Sequence, residues 1–458
     1  MNTPATRATL RQGVVWTLLT VLILAATVEL GVRGIWRAVS DTRDFAVVYT
    51  SSRALAAGKN PYDDSDLRAT WLEATHNKPD NANALDLALY PPTTYLLLSP
   101  LALMDWAQVR WAWLLINLIG VAVLIVTLTR YGPGKLSPWN AACATAFILG
   151  FGPIHTAIAK GQMTVVVTAI LALAIVAEER NAVVLAATLI GVAASLKPQI
   201  AIPVVVLYLV QRRWKALAVV AAVTAGLLCI AGLRLYWAGV SWVGSLLHNV
   251  SLAAEPGGVY DPSPTNPLAF QLVNGSALLL KLTSNQVAVT IVLVTLGILV
   301  CFFLWKRGEH CFDLLVDSTA FATACVLGLV LIAHRYYDAS VLIFVFVWAL
   351  SVKGAAEPAR NSLAQRSVLR EFLRSGTSSW RRAPALIAIA GCLVMAFPIP
   401  ALLISSGHSR APRAISQTLW DAVVIQQHNW VLLIILVALT TALAIPPARP
   451  SWIVQDAP

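Results

Sequence analysis

Apolar runs of helical length, broken by short polar segments, recur along the chain from Val14 to Pro446. A helix needs roughly 20 such residues to cross a hydrocarbon core about 30 Å thick, and runs of this length predict helices rather than a barrel. They place spans near residues 14–32, 91–105, 110–129, 163–178, 182–196, 199–210, 215–235, 286–305, 312–333, 338–352, 384–405 and 429–446. Twelve spans put both termini on one side. Two stretches depart from simple hydropathy. Residues 138–162, containing FGPIHTAIAKGQ, read as a re-entrant or broken pair of short helices that starts and finishes outside. NPLAFQLVNGSALLLKLTSNQ, from Asn266, has polar residues interrupting its apolar ones and is expected to lie along the outer surface. Irregular backbone at membrane depth is tolerated where protein buries it or water fills a cavity, so the first stretch is expected to line one.

Composition agrees with this picture. Of 458 residues, 58% are hydrophobic and 12% charged, against about one charged residue in four for soluble proteins. The fold class is therefore all-α integral membrane, a single polytopic domain over 1–458 with loop helices on its outer face. The first apolar run follows basic residues, as a signal peptide does, but it is too long and lacks a small-residue cleavage site, so it reads as a retained span. A net charge of +11 could suggest nucleic acid, and the distribution of charge argues otherwise. Basic residues gather at Arg7 and Arg11, in QRRWK at 211–215, at Lys306 and Arg307, and in 353–383, where seven Lys or Arg face Glu357 and Glu371. Such clusters mark cytoplasmic segments that meet anionic lipid, so the expected partners include membrane lipids and no nucleic acid. The long outer loops are then 33–90, with seven basic and eight acidic residues, 235–286 and 405–428. All six cysteines lie in or beside apolar runs without CxxC spacing, which suggests neither zinc nor a disulfide framework.

With that orientation Asp44, Tyr62, Tyr90, Lys160, Gln162, Lys197, Asn266, His334, Tyr337 and Asp338 all fall near span ends on the outer side. Ionisable groups near hydrocarbon cost a few kcal/mol each and persist where they face a cavity or a partner. An outward-opening polar cavity is the economical reading. Each residue also has a bland one. Asp44 can be a solvated loop carboxylate, Lys197 in SLKPQ can snorkel to headgroups, and the tyrosines can belong to the interfacial belt. Proline after Tyr90 suits the first turn of a helix.

Their order is more informative. DFAVVYTSSRALAAGKNPYD from Asp44, then LYPPTTYLLLSPLALM, AKGQMTVVV, LIGVAASLKPQIAIPVVVLYLVQRRWKAL, TNPLAFQLVNG and AHRYYD resembles the succession seen in family 87 of the glycosyltransferases. That family includes polyprenyl-phosphate-mannose-dependent mannosyltransferases and arabinofuranosyltransferases of bacterial envelope assembly. The resemblance covers Asp44 to Leu350, and Thr164 stands where the family commonly shows an asparagine. It implies GT-C architecture, a polyprenyl-phosphate sugar donor, a glycolipid or glycan acceptor, and a site on the outer face of the bacterial inner membrane. It also implies that Asp44 is the catalytic base. One carboxylate suffices for inverting transfer from a phosphate leaving group. Lys197 and Lys160 are the candidate phosphate stabilisers, with Arg335 behind them, since a fixed cation acts strongly beside low dielectric. His334 either donates to phosphate or assists the base. Tyr62, Tyr90, Gln162, Asn266, Tyr337 and Asp338 are candidate contacts to sugar or acceptor. No metal and no cofactor are expected. The rival reading is a transporter or flippase of a lipid-linked sugar, which would be expected to carry paired halves with midplane polar residues; no internal repeat is seen.

Overall fold

The computed structural model describes residues 4–76, 85–132, 136–262, 266, 268–309, 315, 317–354, 377–406, 411 and 416–445. Most of the basic loop 353–383 lies outside the described residues. The described residues are helical almost throughout. Among them, six segments are long and apolar enough to cross a membrane: Gln12–Trp36, Trp106–Tyr131, Trp214–Trp237, Gln286–Gly308, Arg382–Ser405 and Gln427–Ala444. The first of them belongs to α1 (Pro4–Glu29) and the wider turns that continue it to Trp36. Next come α2 (Arg43–Ala56), α3 (Asp64–Ala74), α4 (Pro92–Leu98) and α5 (Trp106–Val126). Then follow α6 (Pro138–Gly150), α7 (Gly152–Lys160), α8 (Thr164–Glu179), α9 (Val183–Leu196) and α10 (Pro198–Val210).

The predicted span at 91–105 is not one. Its place is taken by α4 and a short 3-10 turn at Leu101–Leu103. Seven residues of helix rise only about 10 Å, and the prolines at 91, 92 and 100 punctuate the segment.

The expectation that 138–162 starts and finishes outside is also corrected. The broken pair is present, bent by 42° between α6 and α7, yet it runs the length of α1 in the same direction. Trp139 packs edge-on against Trp16 at 5.9 Å, Gly150 faces Ala26, and His155 lies beside Gly34. The pair therefore passes from the end where α1 begins to the end where Asp44 lies. At the bend Phe151 is extended and Pro153 opens α7. His155 Nε2 meets the carbonyl of Leu149 at 2.7 Å, so a backbone group freed by the break keeps a partner inside protein.

Past α10 come α11 (Trp214–Trp237), α12 (Trp242–Ala254), β1 (Leu272–Val273), α13 (Gly275–Leu282), α14 (Gln286–Gly308), α15 (Ser318–Leu331), β2 (His334–Arg335) and α16 (Leu342–Gly354). β1 pairs antiparallel with β2, with Leu272 opposite Arg335 and Val273 opposite His334. In the stretch from Asn266, Leu272, Val273 and Asn274 are buried, because their segment supplies the strand that holds His334 and Arg335.

The two ends of the bundle differ in chemistry. One carries Asp44, the start of α8, the α9–α10 junction and β2. The other carries the ion pairs Arg213–Glu178 and, at 2.6 Å, Arg307–Asp317. Proline explains the α9–α10 junction. A residue before proline is pushed out of the helical region, Lys197 sits at φ −150° and ψ 83°, and Pro198 opens the next helix. The break turns the Lys197 side chain into the protein, where it is 1% exposed.

Candidate functional site

Asp44 stands in the first turn of α2, where unpaired backbone N–H groups favour a carboxylate. The turn is held by its neighbour. The ring of Phe45 stacks on Trp113 at 4.6 Å and 3°, and Trp113 Nε1 donates to the carbonyl of Gly161 at 2.8 Å. Gly161 ends α7 at φ +71°, with its N–H bonded to Ile158 and that of Gln162 bonded back to Ala157. A Cβ there would lie 2.6 Å from Phe45 Cβ, so both the left-handed backbone and the close approach call for glycine. This turn delivers Gln162 to Asp44.

Gln162 Nε2 donates to Asp44 Oδ2. Its Oε1 accepts from Tyr90 Oη at 2.8 Å and from Lys197 Nζ at 3.1 Å. Two donors on one oxygen fix which way the amide points. Lys197 also donates to Thr164 Oγ1 at 2.8 Å and to Asp338 Oδ1 at 2.5 Å. Thr164 donates to the same carboxylate oxygen at 2.8 Å, and His334 Nδ1 lies 3.1 Å from the other. Asp44, the lysine before Pro198 and the histidine before Arg335 thus meet in one continuous set of hydrogen bonds.

A cavity of about 310 Å³ opens beside this network, a size within the range of small-molecule sites. Asp44, Tyr90, Gln162, Arg335 and Tyr337 line it. Lys197 does not. Its ammonium lies behind the wall, 4.8 Å from the ring centre of Tyr337 and 6.0 Å from that of Tyr90, and is paired with Asp338. Asp338 and His334 are equally buried. The cation on the wall is Arg335, which donates to the Val259 carbonyl at 3.3 Å and makes no ion pair among the described residues.

Three predicted site residues lie elsewhere. Lys160 pairs with Asp41 at 2.8 Å in a half-exposed bridge. Asn266 is buried, donating to the Asp261 carbonyl and accepting from the N–H of Leu268. Tyr62 is buried, its hydroxyl donating to the Tyr90 carbonyl at 2.9 Å. The Gly-Lys-Asn-Pro-Tyr segment is thus a turn that ties α2 to α12, through Asn60 Nδ2 and Ser245 Oγ at 3.0 Å, and steadies Tyr90. Asp86, Gln199 and Tyr260 also line the cavity and were missed. Asp86 precedes Tyr-Pro-Pro by four residues, and Gln199 directly follows Lys-Pro; that nearness is the signal the sequence offered.

Burial raises the Asp44 carboxyl above the ordinary carboxylate range, opposed by its bond from Gln162 and by Lys160, and reinforced by Asp86. A carboxylate so placed is a stronger base than one in water. Burial likewise pushes the Tyr260 phenol up to about 12, so it is a neutral hydrogen-bond donor near pH 7. A guanidinium and a carboxylate of raised basicity therefore share one cavity. That arrangement can hold a phosphate ester and deprotonate a hydroxyl.

The model of glycosyltransferase family 87 matches residues 88–331, just over half of the chain, and the protein belongs to that family. No curated protein and no solved structure matches it. The matched residues include Tyr90, Gln162 and Lys197; Asp44, His334, Arg335, Tyr337 and Asp338 lie outside them. The chain is a membrane-embedded glycosyltransferase, which sets the flippase reading aside.

Proposed function

We propose, taking that membership as the premise, that the protein moves a sugar, in the first instance mannose, from a polyprenyl monophosphate to a hydroxyl of a glycolipid or glycan acceptor. Transfer takes place with inversion on the outer face of a bacterial inner membrane. One observation carries the reading: Asp44 and Arg335 line one cavity without forming an ion pair. Asp44 takes the proton of the acceptor hydroxyl. That oxygen then attacks the anomeric carbon, and the bond from carbon to the phosphate oxygen breaks. The electron pair leaves on the polyprenyl phosphate, whose growing charge the Arg335 guanidinium stabilises in a site of low dielectric. Lys197 acts from behind the wall. With Tyr90 it orients Gln162, and Gln162 holds one oxygen of Asp44 so that the other is available to the acceptor. His334 is placed by Asp338 and by β1, and so positions the adjacent Arg335.

Arg335→Gln is expected to raise KM for the donor about tenfold or more, the scale of a charge-assisted hydrogen bond, with little change for the acceptor. Washed membranes supplied with a panel of labelled polyprenyl-phosphate sugars would show this and identify the sugar. A rise confined to the acceptor would count against the assignment.

The same reading sets the path through the membrane. Besides the six long segments, the bent pair α6–α7, the shorter apolar helices α9, α10, α15 and Tyr336–Val352, and α8 join the two ends of the bundle. Twelve passes result, with α6–α7 in place of the span expected at 91–105. Cysteines introduced at Lys59 and Leu136, in a background without the native cysteines, should label from opposite sides of the membrane. Labelling from the same side would restore the re-entrant arrangement.

A further inference from the structure

The cavity holds two carboxylates, and the proposed transfer uses only one. Asp86 is exposed, shares the cavity with Asp44, and makes no hydrogen bond or ion pair among the described residues. The backbone that carries it is anchored nearby. Two residues on, Ala88 is fully buried and its carbonyl accepts from Asn249 Nδ2 at 3.2 Å, and Tyr90 follows, fixed to Gln162. Arg335 lines the same cavity without pairing to either carboxylate. The cavity therefore keeps a cation and a second carboxylate that do not neutralise each other.

The two substrates of a phosphate-linked transfer differ in the property these groups sense. The donor carries a phosphate anion, which Arg335 attracts and a carboxylate repels. An acceptor sugar presents hydroxyl donors, and an ionised carboxylate, which has two acceptor oxygens and no proton to give, is matched to a pair of adjacent hydroxyls. We propose that Asp86 selects the acceptor, accepting hydrogen bonds from two adjacent hydroxyls of an uncharged sugar and holding a third beside Asp44. Gln199 and the Tyr260 phenol, which line the same cavity, supply the complementary donors. The inference rests on the reading of Asp44 as base. Asp86 also serves that base, because its negative charge favours the protonated form of Asp44 and so strengthens Asp44 as a proton acceptor.

The test uses the purified full-length protein and octyl glycosides of mannose, glucose, galactose and arabinofuranose as acceptor probes, with binding followed by titration. At least one glycoside should bind the wild type saturably. Asp86→Asn should weaken that binding about tenfold, as expected for a lost charged hydrogen bond, while decaprenyl-phosphate mannose binds the variant at least as tightly as the wild type, since a repelling carboxylate has been removed. Where a probe is turned over, the acid limb of kcat/KM should move to lower pH in Asp86→Asn, a shift that a purely structural residue would not produce. Equal glycoside affinity in the two proteins overturns the inference, as does the absence of saturable binding of every probe to the wild type. Failure of the underlying reading is distinct: it would show as sugar transfer surviving in Asp44→Asn.

Discussion

Asp44→Asn should abolish sugar transfer and leave the folded protein as stable as before, or slightly more so. The loss expected for removing a positioned general base is on the order of 10²–10⁴-fold. The fold has no reason to fail, because the asparagine oxygen can still accept from Gln162 Nε2 and the packing of Phe45 on Trp113 is untouched. The sign for stability follows from the raised Asp44 pKa. The folded state binds this proton more tightly than the unfolded chain, so the stabilisation is full below the unfolded value and is lost as pH rises through the folded one. At neutral pH the ionised carboxylate is a cost, which asparagine removes. For the same reason kcat/KM of the wild type should fall, on acidification, at a pH above the ordinary carboxylate range. Transfer assays across pH, with thermal unfolding of both proteins, check the pair of outcomes. Turnover retained by Asp44→Asn would remove the base assignment.

The second large effect belongs to Lys197→Ala, and it differs from what the sequence suggests. A lysine facing the donor would, when removed, weaken donor use more than acceptor use. In the structure the ammonium is 1% exposed and pairs with Asp338 at 2.5 Å. Its removal leaves a buried carboxylate without a cation, a loss of about 3–5 kcal/mol, and takes away one of the two donors that orient Gln162. Stability and transfer should fall together, for donor and acceptor alike. Replacing both partners, as Lys197→Met with Asp338→Leu, should recover much of the stability and none of the activity, since apolar substitutes for a buried ion pair are often tolerated. Thermal unfolding in detergent, paired with transfer assays, reads both. Lys197→Ala with wild-type stability and a raised KM for the donor alone would instead put the charge on the phosphate.

Much of the site was legible because it sits where the sequence breaks its own rules. Asp44, Gln162, Lys197 and His334 were found as polar residues at the ends of apolar runs, each beside a helix breaker or a turn. The partners were not legible. Lys197 and Asp338 are 141 positions apart, and hydropathy says nothing of which cation faces the cavity and which lies behind its wall. Arg335 was ranked behind the lysines because a side chain's direction depends on the strand pairing of Arg335 with Leu272 and of His334 with Val273, a contact between residues far apart in the chain. Two misreadings of the path also offset each other. Counting a span at 91–105 moved the chain to the wrong end of the bundle, and reading 138–162 as re-entrant moved it back. Asp44 and Lys197 were therefore placed at the same end despite both. Hydropathy alone could not separate the cases: the apolar residues of 91–105 pack in a short helix and a turn, while Gly150–Gly152 interrupts a segment that nonetheless runs end to end.

The central claim, that one cavity holds the donor's phosphate on Arg335 and the reacting carbon beside Asp44, is open to direct view. A structure of the Asp44→Asn protein with a polyprenyl-phosphate sugar bound should show phosphate oxygens within hydrogen-bond distance of the Arg335 guanidinium and the anomeric carbon turned toward residue 44. Phosphate seated on Lys197 with the Asp338 pair broken, or outside the cavity altogether, would contradict it.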